Sequence, residues 1–145
     1  PLELVRDTGE TFSFDADIYA DDSKRLMLLT TAAEWCTACI EEQSQLEGFH
    51  GEYADDGLAI VVSVFEDLNF QPATESTAAN WRATHSLTVD VVVDSENQLG
   101  DPNTGYYDPE LTPMNMLVNI DTMQILSIKT GWDPSVVEAI IDAQL

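Results

Sequence analysis

The two cysteines of this chain lie between an apolar run and a segment with helical periodicity. Both belong to residues 35–39 (WCTAC), and no other cysteine occurs in the 145 residues. Residues 26–29 (LMLL) precede the pair and predict a buried strand that ends just before it. From Cys36 onward, Ile40, Leu46, Phe49 and Tyr53 recur at helical spacing. The sequence therefore places Cys36 and Cys39 where a buried strand gives way to a helix.

This placement predicts a redox-active dithiol. The thiolate is the reactive form of cysteine, and the free amides and positive dipole end of a helix N-terminus stabilise an anion. Cys36 is the predicted exposed nucleophile that attacks a partner's disulfide, and Cys39 is the predicted resolving thiol. A disulfide between them closes a very small ring and restrains the unfolded chain little, which favours a chemical role over a stabilising one.

Other sites that use two cysteines fit the sequence less well. A structural zinc site needs four ligands, and the only histidines, His50 and His85, stand at no familiar finger spacing. Haem attachment requires histidine directly after the second cysteine, where Ile40 stands. A copper-binding module that uses both thiols with His85 is the alternative function of a different class.

The charge balance excludes two classes of partner. Five basic residues against 27 acidic ones give a net charge of -22, which repels nucleic acid and anionic membrane surfaces. The acids are spread along the chain, which favours a solvated surface over a dedicated acidic docking element. No apolar stretch approaches the ~18 residues of a membrane span. Because the chain begins at Pro1, we expect a signal or anchor to be absent from it.

The remaining patterns predict one domain of residues 1–145 in which strands alternate with helices. Strands are predicted at residues 11–14, 58–65, 89–93, 115–120 and 124–129, with helices around residues 78–85 and after Asp133. This order predicts an α/β fold with a mixed sheet covered on both faces. The cysteines then lie at the carboxyl end of a central strand, the usual site of chemistry in open α/β sheets.

Residues 33–36 (AEWC) and Cys39 resemble the redox motif of the thioredoxin superfamily, and within it that of the TlpA/ResA-like thiol–disulfide oxidoreductases. Glu42 and Leu46 stand where the first helix of this subgroup commonly carries glutamate and leucine. Thr112-Pro113 resembles the cis-proline loop, and Gly131 before the last helix also matches. The resemblance implies a thioredoxin-like three-layer fold, with a mixed central sheet flanked by helices and an additional N-terminal strand segment.

The resemblance also implies the activity, which is reduction of protein disulfides by dithiol exchange without a cofactor or metal. It implies catalytic roles for Cys36, Cys39 and Glu42 and substrate-binding roles for Trp35, Thr112 and Pro113. A cis bond before Pro113 would turn the Thr112 backbone toward Cys36, where it could pair with an extended substrate.

Proton transfer is where the chain departs from thioredoxins. Thr30 stands where they carry a buried acid, so Glu42, one turn beyond Cys39, is the predicted proton carrier. Its alternative is a solvated glutamate on the helix surface. Glu34 and the acidic field disfavour a thiolate at Cys36, which favours a disulfide reductase over an oxidant.

The resemblance implies extracytoplasmic substrates in the bacterial periplasm or envelope. These are protein disulfides or dithiols, with apocytochrome c among the candidates, and the electron donor is unidentified. A peroxiredoxin, a peroxidase with the same fold, needs threonine and proline where Ala33 and Leu29 stand. A calcium loop at residues 101–110 has the wrong spacing and two prolines. Tyr106 and Tyr107 are predicted to anchor the loop that leads to Pro113, and the alternative is a substrate platform beside Cys36.

Overall fold

The computed structural model describes residues 2–100 and 112–145. The strands are β1 (Glu3–Arg6), β2 (Thr11–Ser13), β3 (Leu26–Ala33), β4 (Leu58–Glu66), β5 (Asp90–Val93), β6 (Met114–Asn119) and β7 (Gln124–Thr130). The helices are α1 (Thr37–Tyr53), α2 (Glu75–His85) and α3 (Pro134–Gln144). None of the helices in these ranges is long and apolar enough to cross a membrane.

The strands form one seven-stranded mixed sheet in the order β2-β1-β5-β4-β3-β6-β7. The central strands β3, β4 and β5 are parallel, and the outer pairings are antiparallel. All eight residues of β3 are buried, because neighbouring strands flank it on both sides and both of its faces are covered. The mixed α/β fold predicted from the sequence is confirmed. Strand β3 lies inside the sheet and ends three residues before Cys36.

The three long helices pack on the same face of the sheet. Leu46 of α1, Trp81 of α2 and Ile141 of α3 belong to one core cluster with alternate residues of β3 and β4. The other face is covered, within the described residues, by shorter segments that include Phe14 and Ile18 of a π-helical stretch, Phe14–Tyr19. Three layers are therefore present, and in residues 2–100 and 112–145 helical turns form the third.

Two strands in the N-terminal part of the chain differ most from the sequence prediction. Strand β3 continues four residues past Leu29 and ends at Ala33, because Thr30 and Thr31 are buried despite their hydroxyl groups. The N-terminal strand segment is a hairpin in which β1 pairs with both β2 and β5. Strand β1 has only four residues, and its adjacent apolar residues Leu4 and Val5 do not alternate with polar ones, which is why periodicity did not predict it.

Candidate active site

Cys36 is the N-cap residue of α1, and it forms a disulfide bond with Cys39. The Cys39 backbone N–H donates a hydrogen bond to Cys36 Sγ at 3.1 Å. This donor and the positive end of α1 both stabilise negative charge on the Cys36 sulfur. Cys36 is 5% exposed and Cys39 is 0% exposed, so the exposure predicted for Cys36 is not found in the disulfide form. Cys36 is nevertheless the more accessible residue of the pair.

Thr112 and Pro113 lie beside the disulfide, and the peptide bond between them is cis. Cys36 Sγ is 3.9 Å from the Thr112 carbonyl oxygen, and Cys39 Sγ is 3.9 Å from Thr112 Oγ1. Thr31 Oγ1 accepts a hydrogen bond from the Met114 N–H at 2.9 Å and lies 3.2 Å from Thr112 Oγ1. The structure thus brings the segment at Thr112 and the cysteine pair together, as the sequence resemblance implies.

Glu42 lies on the face of α1 that packs against the sheet, and its side chain has no exposed surface. The alternative of a solvated surface glutamate is therefore wrong. Thr30 Oγ1 donates to Glu42 Oε1 at 2.6 Å, and Asn115 Nδ2 donates to Oε2 at 3.4 Å. Burial raises the pKa of Glu42 to about 8, and these two hydrogen bonds partly oppose the increase. A buried carboxyl group that titrates near neutral pH therefore lies one helical turn from Cys39.

The buried stripe at the start of α1 is polar, which sequence periodicity did not predict. Cys39, Glu42 and Gln43 face the sheet, whereas Ile40, expected to face inward, is 43% exposed. Gln43 Nε2 donates to the Cys39 carbonyl oxygen at 2.7 Å, and Gln43 Oε1 accepts from Trp81 Nε1 at 3.1 Å. Residues 39, 42, 43 and 46 are spaced so that they share one face of a helix, and this spacing is the sequence signal that could have predicted the polar stripe.

Trp35 is half-buried and is held from two sides. Its Nε1 donates to Glu66 Oε1 at 3.3 Å, and its ring stacks on that of Phe70 with centroids 5.4 Å apart. Glu34 lies partly buried beside it, and burial, followed by the charge of Asp67, raises the pKa of Glu34. The acidic environment expected around the cysteines is therefore present on this side of the site.

The described residues do not favour the copper alternative. Residues 2–100 and 112–145 contain no group of three or more histidine, cysteine or acidic side chains arranged to hold a metal ion. His85 packs against the ring of Trp81 at a centroid distance of 4.4 Å, and burial lowers its pKa. The calcium-loop residues Asp101, Asn103, Asp108 and Glu110, together with Tyr106 and Tyr107, lie outside the described residues.

Comparison with known proteins assigns the chain to a family. Residues 2–127 match the sequence model of the AhpC/TSA family. The chain belongs to the AhpC/TSA family. No curated protein sequence matches it significantly.

Solved structures of the same fold cover nearly the whole of this AhpC/TSA family chain. A hypothetical protein from Sinorhizobium meliloti has a TM-score of 0.79 at 18% identity, with 99% of this chain and 79% of that one covered. A secreted disulfide oxidoreductase from Mycobacterium tuberculosis, homologous to E. coli DsbE, has a TM-score of 0.71 at 11% identity, with 98% of this chain and 95% of that one covered. A thiol-disulfide oxidoreductase from Bacteroides fragilis has a TM-score of 0.71 at 20% identity, with 96% of this chain and 94% of that one covered. These likenesses confirm the thioredoxin-like fold.

Proposed function

We propose that this protein is a thiol–disulfide oxidoreductase that reduces disulfides in other proteins. The observation that carries the proposal is the Cys36–Cys39 disulfide at the N-terminus of α1, with the less buried sulfur receiving a backbone N–H. Membership of the AhpC/TSA family and the oxidoreductases among its structural neighbours support it. A peroxidase is disfavoured, since Ala33 and Leu29 replace the threonine and proline of the peroxidatic motif.

The reaction begins from the dithiol form. The Cys36 thiolate attacks one sulfur of the substrate disulfide, a mixed disulfide forms, and the other substrate sulfur leaves as a thiolate that takes up a proton. Cys39 then loses its proton and attacks Cys36 Sγ, which releases the second substrate sulfur and forms the Cys36–Cys39 disulfide. The two electrons of the protein dithiol pass to the substrate, and an external dithiol donor must restore them.

Glu42 is proposed to exchange the proton of Cys39. It lies three residues beyond Cys39 on α1, both side chains are fully buried, and its pKa of about 8 is close to that of a free thiol. Proton transfer between groups of similar pKa has little thermodynamic barrier near neutral pH. The buried Glu42 thus supplies the acid that Thr30 does not.

The proposed substrates are extracytoplasmic proteins with cysteine pairs, including apocytochrome c. The Mycobacterium tuberculosis neighbour is described as secreted, which supports the same compartment for this protein. Thr112 and Pro113 are proposed to contact an extended substrate chain, since the Thr112 carbonyl is 3.9 Å from Cys36 Sγ. Trp35, which directly precedes Cys36, is proposed to form the other side of the contact.

The proposed function predicts that the protein accelerates insulin reduction by dithiothreitol and has a low reduction potential. Aggregation of the released insulin chains gives the rate, and equilibration with glutathione gives the potential. A potential well below ~-200 mV supports a reductase, whereas one near ~-120 mV supports an oxidant. A rate no greater than that of dithiothreitol alone would contradict the proposed activity.

Glu42→Gln tests the proton carrier. We expect the rate of disulfide exchange to fall by roughly 10- to 100-fold and to lose its ionisation near pH 8, because glutamine keeps the shape but carries no titrating proton. The measurement is the rate against pH for both proteins. An unchanged pH profile would leave Glu42 without a role in proton transfer.

Stability of the oxidised variants provides the control. Because the folded-state pKa of Glu42 is raised to about 8, its favourable contribution is complete below the ordinary value of 4.5 and is lost as pH rises through about 8. Glu42→Gln should therefore gain stability relative to wild type across this interval, with a slope on the order of 1.4 kcal/mol per pH unit. A constant difference between the two unfolding free energies would show that Glu42 titrates normally.

A further inference from the structure

A cleft that includes Trp35 extends away from the substrate contact proposed above, and its other walls have no role in that contact. It has a volume of about 530 Å³, and its walls include Trp35, Phe65, Phe70 and Pro72. Trp35 directly precedes Cys36, so one wall of the cleft lies one residue from the attacking cysteine in the chain. Its position suits a side chain close in sequence to the substrate cysteine.

Phe70 forms one wall of this cleft at an energetic cost. It is 63% exposed, and its φ of 59° lies in the left-handed region that bulky side chains rarely adopt. Asp67 fixes the turn, since its Oδ1 accepts from the Asn69 and Gln71 N–H groups at 2.8 and 3.0 Å. Glycine or asparagine usually occupies such a position. The turn instead presents an exposed aromatic ring to Trp35, and strain of this kind is concentrated at ligand sites.

An irregularity in the sheet contributes the first acidic group of the cleft. The pairing of β3 with β4 shifts so that Ala32 pairs with Val64 and Ala33 with Glu66. Glu66 then reaches Trp35, with Oε1 accepting from Nε1 at 3.3 Å. A shift of this type redirects side chains near functional sites.

The cleft combines aromatic rings with negative charge. Glu66 and Glu96 both line it, and none of the described residues on its walls is a lysine or arginine. An ammonium or guanidinium group is attracted both to the face of a tryptophan ring and to carboxylates. An acidic side chain would be repelled, and an apolar one would desolvate the carboxylates without replacing their lost hydration.

We propose that this cleft binds a lysine or arginine side chain next to the reacting cysteine of the substrate. The aliphatic stem would pack along the stacked Trp35 and Phe70 rings, and the cationic head would meet Glu66 and Glu96. This inference rests on the proposed disulfide reductase function and names a substrate preference for it.

Short disulfide peptides that differ at one position beside the reactive cysteine provide the test. Lysine and norleucine make a matched pair, because norleucine keeps the aliphatic stem and lacks the ammonium group. We expect kcat/KM for reduction to be about tenfold higher for the lysine peptide, and to be lowest for a glutamate peptide. Equal values for lysine and norleucine would overturn the proposal.

Variants of the protein distinguish the effect of the cleft on substrate preference from the effect of the overall negative charge. Glu66→Gln with Glu96→Gln should bring the ratio of lysine to norleucine rates to within about twofold. Phe70→Ala should instead lower both rates, because it removes a contact that the two aliphatic stems share. Glutamine at position 66 can still accept the Trp35 hydrogen bond. The control is Glu52→Gln with Glu138→Gln, which makes the same charge change at exposed sites. Glu52 lies ~24 Å along α1 from Cys36. A ratio that falls equally in the control would assign the preference to overall charge and contradict the cleft.

A binding measurement makes the test of the cleft independent of the proposed reductase activity. Peptides in which serine replaces both cysteines cannot react, and their affinity for the oxidised protein is measured by titration calorimetry. The lysine peptide should bind about tenfold more tightly than the norleucine peptide, and Glu66→Gln with Glu96→Gln should remove the difference. If exchange is absent while this difference persists, the reductase proposal fails and the cleft stands. If exchange proceeds and no difference is found, the cleft proposal fails alone.

Discussion

Cys36→Ser is expected to reduce insulin no faster than dithiothreitol alone. Cys36 is the less buried sulfur, and it receives the Cys39 N–H at 3.1 Å, so it is the group placed to act as a thiolate. Serine can still cap the helix through its hydroxyl oxygen, but its alkoxide is inaccessible at neutral pH. The measurement is insulin aggregation at equal protein concentration. Full activity in this variant would contradict the thiol–disulfide mechanism itself.

Cys39→Ser is the matched control for folding. Both variants lack the Cys36–Cys39 disulfide, which closes a ring with a sequence separation of only 3, so their stabilities should be similar. Similar unfolding transitions together with different reactivity toward disulfides would separate chemistry from folding. If both variants unfold, loss of activity in Cys36→Ser carries no information on the nucleophile.

The central layer of the fold follows from local patterns, whereas the side on which the helices pack requires a topological argument. The apolar runs that became β3 and β4 are long enough to predict buried parallel strands. The steps from β3 to β4 and from β4 to β5 run in the same direction across the sheet. Right-handed crossovers therefore place α1 and α2 on the same face. The sequence patterns do not order the strands, so they predict helices flanking the sheet but not that α1, α2 and α3 share one face.

The site shows the same division between local pattern and tertiary context. Cys36 and Cys39 were predictable because two intervening residues and a helix start determine their chemistry. Burial of Glu42 was not predictable, since a glutamate on a helix usually faces water. The environment of Glu42 depends on Thr30 and Asn115, which come from two different strands. The conformation of Phe70 was also inaccessible to pattern reasoning, because left-handed backbone at a bulky residue opposes its intrinsic preference.

Cys39→Ser is expected to accumulate a mixed disulfide with its substrates. Cys36 can still attack, but without the second thiol the covalent intermediate is not resolved internally. The fully buried position of Cys39 makes it the internal partner of Cys36 and keeps it from competing for substrate. The measurement is non-reducing electrophoresis of the variant expressed in its native host, followed by mass spectrometry of the bands that dithiothreitol releases.

The captured proteins should carry cysteine pairs and come from outside the cytoplasm. A Cys36→Ser, Cys39→Ser double variant is the control, since it has no thiol and should capture nothing. We expect basic residues beside the captured cysteines more often than in the same proteins' other cysteines, because the Trp35–Phe70 cleft selects for them. If the trap captures no protein while the purified wild type exchanges disulfides in vitro, the acceptor is a small thiol compound and the proposed protein substrates are wrong.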